Sequence, residues 1–592
     1  MAKFQPKTKD ELKELLKNLE INLADIDTSL ITDMSELFVD VGRSDFGGLE
    51  TWDVSNVEDM SGMFKGVAPF NHSIDSWNVS KVKNMREMFT EAFSFNQPLN
   101  SWDVSNVEDM SRMFYYAISF NQPLDNWNVS NVADMGGMFK DAESFNRSID
   151  SWNVGKVKNT TEMFVRAISF NQPLNSWDVS NVTDMSDMFT QAKNFNQPLN
   201  NWNVSSVTNM SSMFESAESF NQPLDSWNVS SVTNMSSMFE SAESFNQPLD
   251  SWNVSSVIRM SGMFAAAKNF NQPLEKWDVS NVIYMGRMFE KAKAFNQPLE
   301  KWDVSNVEDM SYMFAEAKSF NQPLNNWNVS NVTDMSWMFG CDKDVPDYLL
   351  ENFNQPLENW NVSNVTDMSG MFAGAVVFNQ PLENWDVSNV TDMSNMFGGD
   401  DEDATGAKAF NQPLEKWDVS NVETMRCMFC GAESFNQPLN NWDVSSVGDM
   451  SDMFCGATSF NQPLDAWYTG NVYNMNGMFC GAISFNQPLE SWDVSDVGDM
   501  SRMFARAESF NQPLNSWRVF SVENMESMFE GATSFNQPLE DWEVSSVTNM
   551  YRMFRDATSF NQPLDSWDIS NVDWMDDMFE GAKAYTYGEL EN

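Results

Sequence analysis

Along most of the chain, apolar residues recur at fixed places in a 25-residue frame. Counted from a phenylalanine as position 1, they occupy positions 1, 5, 8, 10, 13, 16, 19, 20 and 23. In the frame that starts at Phe170 these are Phe170, Leu174, Trp177, Val179, Val182, Met185, Met188, Phe189 and Ala192. Trp177 and Val179 alternate with Asp178 and Ser180, the pattern of a short strand with one buried face. Val182 to Ala192 step by three and four, which predicts one short helical turn. Pro173 stands ahead of the strand, where a missing amide does least harm.

A frame this short cannot enclose its own aromatic residues. It buries them only by stacking on copies of itself, so the pattern predicts a solenoid of α/β coils in which each contacts its neighbours. The phrase Phe-Asn-Gln-Pro-Leu opens frame after frame, at Phe95, Phe120 and Phe170 and onward to Phe560, with variants at Phe70 and Phe145. Stacking sets Trp on Trp and Phe on Phe, and each large ring is expected to contribute roughly 2–3 kcal/mol. Asn181, just past the expected strand, is placed to bond turn amides and the neighbouring coil.

The unit WDVSNVTDMSDMFTQA followed by FNQPL resembles the BspA-like leucine-rich repeat family. Within it, LNSWDVSNV is similar to the leucine-rich segment LxxLxLxxN, with Trp177 and Val179 in leucine places. The resemblance covers about residues 28–584. It implies a right-handed, leucine-rich-repeat-like coil, display at a cell surface or outside cells, and adhesion or host interaction. It implies no enzymatic activity.

The expected layout is a capping region over residues 1–27, about 21 coils over 28–584 and a tail over 585–592. Thr8-Lys9-Asp10-Glu11 reads as a capping box. Leu12, Leu15, Leu16 and Leu19 follow as one stripe, so a helix from about residue 8 to 20 is expected to cover the first coil. Two insertions, within residues 340–352 and 398–409, leave the frame after the Met-Phe pair, at the same corner of the coil. The start, MAKFQPKTKDELKELLKNLE, does not read as a secretory leader, and no apolar run reaches the roughly 18 residues of a membrane span. Without a visible leader or anchor, cytoplasmic or particle-associated locations stand beside the surface.

The formal net charge of −50 disfavours nucleic acid and anionic lipid as partners. Five cysteines are no disulfide framework. Cys430, Cys455 and Cys480 lie one frame apart and are expected to stack as free thiols. His72 is the single histidine, so a Ser-His-Asp triad in the array interior has no base. Carboxylates such as Asp184 and Asp334 recur at positions read as exposed, and none is singled out for proton transfer. Asp401, Asp403 and Thr405 match the first half of a calcium loop, but Gln412 stands where the closing glutamate belongs.

Positions 7, 9 and 11 are expected to point outward from a concave strand face, with the insertion edge as a second candidate surface. At position 9 this places Asp103, Asp178, Asp278 and Asp303. One frame carries Tyr468, Thr469 and Gly470 instead, and another Arg518 and Phe520, where an exposed aromatic beside an arginine is a candidate anchor. Residues 195–244 hold two copies that differ only at Asn200 and Asn201 against Asp225 and Ser226, a pattern that suits a scaffold of variable length better than a catalytic pocket. The reading is therefore a non-enzymatic scaffold for a protein or glycan partner, with a self-associating fibre or coat component, assisted by divalent cations, as the alternative.

Overall fold

The computed structural model describes residues 3–341, 349–399, 405–588 and 590. The chain divides into two compact units, Met1–Val282 and Ile283–Asn592. Both are stacks of 25-residue coils, and the register is visible in the parallel bridges. In the first unit these run Asp33, Asp59, Asn84, Asp109 and on, one coil at a time, to Arg259; in the second they run from Tyr284 and Asp309 to Trp574.

One coil of the first unit shows how the sequence builds this. Its bridge falls at Asp184, which pairs with Asn159 on one side and Asn209 on the other. Beyond it the amides take turns. Those of Met185, Asp187, Phe189 and Gln191 donate to carbonyls of the next coil at 3.0, 2.9, 2.9 and 2.7 Å. Those of Met188, Thr190 and Ala192 donate back three residues within the coil, at 3.3, 3.2 and 3.0 Å. The chain achieves this by placing Asp187 and Gln191 at φ +59 and +56, in the left-handed region.

This corrects two expectations. The ladder lies at positions 14 to 22, not at the alternating Trp177 and Val179. The segment expected to be a helical turn is a run of turns. Apolar spacing of three and four fits both, because a left-handed residue every fourth place undoes the winding of the turn before it. A helix would spend all its interior amides on itself and leave none for the coil above. Glycine marks the same two columns elsewhere: Gly62, Gly137 and Gly262 stand at position 18, and Gly431, Gly456 and Gly481 at position 22, all at positive φ.

The interior is the expected aromatic pile. In the first unit the indoles from Trp127 to Trp277 follow one another at 6.2 to 6.5 Å with nearly parallel planes. Each is also pinned by its nitrogen: Trp177 Nε1 donates to the Ile149 carbonyl of the preceding coil at 3.0 Å, and Trp202 Nε1 to that of Leu174 at 2.8 Å. Phe189 lies 4.2 Å from Phe195, both fully buried. The Asn-Gln pair after each opening phenylalanine forms a second ladder, in which Asn171 Oδ1 accepts from the Asn196 amide and from Gln197 Nε2, both at 3.0 Å.

Helix α1, Lys9–Lys17, covers the start of the first unit. Thr8 Oγ1 accepts from the Glu11 amide at 3.2 Å, and the Glu11 carboxylate reaches back to the Lys7 amide, one residue earlier than a reciprocal box requires. Leu12 and Leu16 are buried, but the helix stops short of Leu19, which is 57% exposed. Arg43, buried, holds the helix end by donating to the carbonyls of Leu16, Asn18 and Ile21 at 3.4, 2.9 and 3.2 Å.

In the second unit the insertions leave the pile intact. Trp327 and Trp360 stack at 6.5 Å across the first of them. Both depart at position 22, where Cys341 and Gly399 still donate to the next coil, and Leu350 returns to the buried place that alanine holds in other coils. Cys427, Cys430, Cys455 and Cys480 pack as one buried cluster in line with Ala505, none of them in a disulfide.

Candidate functional site

Because the interior repeats so closely, a functional surface has to be sought among side chains that face out. Around the expected strand of the coil from Phe170 these are Ser176, Asp178, Asn181 and Thr183, at positions 7, 9, 12 and 14, while Trp177, Val179 and Val182 point in. Position 11 is not the outward column expected. Ser180 is half-buried because its amide donates to Asp178 Oδ1 at 3.1 Å, folding the segment into a tight turn. Asn181 reaches the preceding coil, donating from Nδ2 to the Gly155 carbonyl at 2.7 Å.

The position-9 aspartates therefore do two things: they close the turn and line the surface. Asp103, Asp178 and Asp278 do so in the first unit and Asp303 in the second, each accepting from the amide two residues on at 3.1 or 3.2 Å. The hydroxyl and amide of Ser180 hold the Asp178 carboxyl below the usual range, and Ser305 does the same for Asp303.

Position 15 behaves differently. Asp184 and Asp334, read from the sequence as exposed, are half-buried in the ladder. In the first unit asparagine commonly separates the aspartates, and Asn159 Nδ2 donates to both oxygens of Asp134 at 3.1 and 3.2 Å. In the second unit Asp309, Asp334, Asp367 and Asp392 follow one another without an amide between them. Burial, and then the neighbouring Asp392 and Asp334 carboxylates, push the Asp367 carboxyl up against the pull of Ser369.

The bulky departures at positions 9 and 11 lie in the second unit; the first has only Gly155, at position 11. Tyr468 is 60% exposed and Phe520 45%. Arg518 takes position 9 between Asp493 and Glu543 of the adjacent coils. With Asn515, Trp517, Phe520 and Asp541 it lines a shallow groove of about 540 Å³. Asn515 and Asp541 brace its wall by exchanging hydrogen bonds at 2.6 and 3.0 Å. The structure thus brings Arg518 and Phe520 together as expected and keeps Tyr468 two coils away from Arg518.

Tyr473 was missed. It is 59% exposed at position 14 of the same coil as Tyr468. The readable signal was glycine in the same column one frame to either side, at Gly448 and Gly498.

Of the calcium-loop candidates, Asp401 and Asp403 lie outside the described residues. Thr405 ends the second insertion, and its carbonyl and Cys341 both pack toward the α-carbon of Gly374. The described ends of the two insertions therefore lie beside the same glycine, at one edge. Among the described residues no three carboxylate, histidine or cysteine side chains gather in a cluster able to hold a metal ion. No described helix is long and apolar enough to cross a membrane.

The sequence family described as "Mycoplasma protein of unknown function, DUF285" matches residues 10–115, 98–193, 173–268, 245–349, 348–462, 436–526 and 514–590. No curated protein is similar enough in sequence to match. Among solved structures, the chain in a complex of TLR13 with ssRNA13 aligns at 11% identity over 96% of each chain, with a TM-score of 0.16. A leucine-rich-repeat protein of Leptospira interrogans aligns at 8% identity over 70% of this chain and 91% of its own, with a TM-score of 0.19. The Toll–Spatzle complex of Drosophila gives 9% identity over 77% and 61%, with a TM-score of 0.20.

Proposed function

The chain belongs to the DUF285 repeat family, and from that premise we propose that it is a non-enzymatic scaffold that recognises a protein or glycan partner through the outward face of its coils, at a cell surface or outside cells. One observation carries the reading. Apart from buried Thr160 and Thr469, which replace a methionine and a valine, the coils keep their apolar interior, and the bulky departures fall on positions that face out. Trp467 and Trp517 stay buried in the coils where Tyr468, Tyr473, Arg518 and Phe520 replace the usual polar residues. A chain held only to a structural role has no reason to place large aromatics there, since an exposed ring gains little from folding. The charge of −50 supports a partner with positive surface and disfavours nucleic acid.

The test is an array of soluble extracellular proteins and glycans probed with the intact chain at about 150 mM salt. Saturable binding that weakens when Asp103, Asp178 and Asp278 are replaced together by lysine is expected. An array with no saturable signal, or one indifferent to that replacement and to changes at Tyr468 and Tyr473, overturns the reading. Calcium-dependent oligomers in light scattering would instead favour the fibre.

A further inference from the structure

Coil 460–484 in the second unit differs from its neighbours in a concerted way. Where other coils read Asp-Val-Ser-Asn-Val-Thr, it reads Tyr468-Thr469-Gly470-Asn471-Val472-Tyr473. Thr469 keeps the buried place of valine, and its hydroxyl donates to the Asp493 carbonyl at 2.8 Å. The two tyrosines stay outside, and each lies against a glycine. A β-carbon on Gly448 would come within 2.7 Å of Tyr473 Cε1, and one on Gly470 within 2.7 Å of Tyr468 Oη. On its other side Tyr473 meets Gly498, where a β-carbon would find only the Tyr473 carbonyl, at 4.0 Å. The ladder runs through all three, Tyr473 donating to the Gly448 carbonyl at 2.9 Å and Gly498 to that of Tyr473 at 3.0 Å. The column resumes as Glu423 and Glu523 beyond the two glycines. Side chains have been cleared from around an exposed ring.

We propose that this coil is a docking site for a cationic polypeptide segment, which sets lysine or arginine side chains over the rings of Tyr468 and Tyr473 and against the flanking carboxylates. The proposal rests on the recognition reading above and names its partner class. A tyrosine face attracts a cation through its quadrupole, and the attraction grows where carboxylates stand nearby. Asp443 and Asp493 flank Tyr468 in the position-9 column, and Ser445 and Ser495 hold both carboxyls below the usual range, so they are charged at neutral pH. Two coils past Tyr468, Arg518 breaks the negative column, so a segment running that way turns an acidic or neutral residue toward the groove beside Phe520.

The intact chain is titrated with a fluorescent peptide of alternating lysine and glycine, with its glutamate counterpart, and with a neutral glucose hexasaccharide. Two variants carry the test. Tyr468→Asp with Gly470→Ser and Tyr473→Thr restores residues that other coils already hold, so the fold is kept. Gly448→Thr displaces the Tyr473 ring without altering charge.

Wild type is expected to bind the lysine peptide and not the glutamate one. The triple variant is expected to bind it about tenfold more weakly at about 150 mM salt, and Gly448→Thr several-fold more weakly. Charge alone predicts the opposite order, because the triple variant gains a carboxylate. Equal or tighter binding by that variant overturns the proposal, as does no lysine-peptide binding by wild type. Preferential hexasaccharide binding that the triple variant abolishes also overturns it, while leaving the recognition reading in place. An array that responds to lysine replacement of Asp103, Asp178 and Asp278 but not to the triple variant has the same consequence.

Discussion

The coils of residues 195–244 and the coil of residues 460–484 are built on one interior and carry opposite surfaces. In the first pair, Trp202 and Trp227 stack at 6.3 Å, and the two copies differ only at exposed Asn200 and Asn201 against Asp225 and Ser226. In the other, Trp467 and Trp492 stack at 6.2 Å, yet two exposed tyrosines and matching glycines replace the polar face. The pile therefore tolerates wide change outside, while inside it admits small ones such as Thr469 in the place of valine. A repeat that is structurally redundant can change its surface one coil at a time, because each coil's stability depends only on its own interior and its two neighbours.

The sharpest way to break the comparison is from within. Trp202→Ala removes a buried indole, its place in the stack and a hydrogen bond to the Leu174 carbonyl. It is expected to cost about 3–5 kcal/mol, read as a fall in the urea midpoint or as a separate early transition. A loss below about 1 kcal/mol would mean that the pile does not carry the fold.

Glycines at positive φ come next. Gly370→Ala, at φ +60, drives a β-carbon to 2.3 Å from the Trp337 ring and is expected to cost about 2–4 kcal/mol by thermal melting. Gly481→Ala, at φ +66 with its nearest neighbour 3.6 Å away, pays only for the left-handed backbone, about 1–2 kcal/mol. Equal losses at the two positions would show that ring contact at Gly370 adds nothing.

The aspartate run in the second unit should respond in the opposite direction. Asp367→Asn supplies the amide donor that Asn159 supplies in the first unit, and it removes a charge between Asp334 and Asp392. It is expected to stabilise by about 0.2–1 kcal/mol at neutral pH. The Asp367 carboxyl titrates higher folded than unfolded, so ionisation works against the fold. The gain from the substitution should therefore be present above the folded pKa and fade as pH falls toward the ordinary carboxylate range. Asp178 has the reverse sign. Its lowered pKa contributes stability above the ordinary value that is lost as pH falls through the folded one, and carbon-detected NMR titration of the two carboxyls would separate them.

Tyr473→Thr is expected to change stability least, within about 0.5 kcal/mol, because threonine holds position 14 in coils such as that of Thr183. A large loss would make Tyr473 a structural residue and remove the contrast between the two surfaces.

The 25-residue frame, its buried positions and the stacking of tryptophan, phenylalanine and the three cysteines were all legible from spacing and composition. A periodic chain whose units cannot bury their own rings has essentially one way to do so. The outward character of Asp178, Arg518 and Phe520 was readable by alternation. Backbone geometry was less so. The step of three and four at Val182 to Ala192 suits a helix as well as a run of turns, and only the glycines at positions 18 and 22 hinted at left-handed residues. Position 15 looked exposed because aspartate and asparagine fill it, and the ladder that half-buries it joins residues 25 apart.

Sequence alone determined that the chain is a stack of like coils with an aromatic interior and an acidic exterior, since that follows from which side chains water rejects. Only the tertiary structure decided where the ladder runs, which aspartates lose their hydration and which exposed rings lie against glycine. Those depend on what the neighbouring coil places a few ångströms away, and a linear pattern does not record that distance.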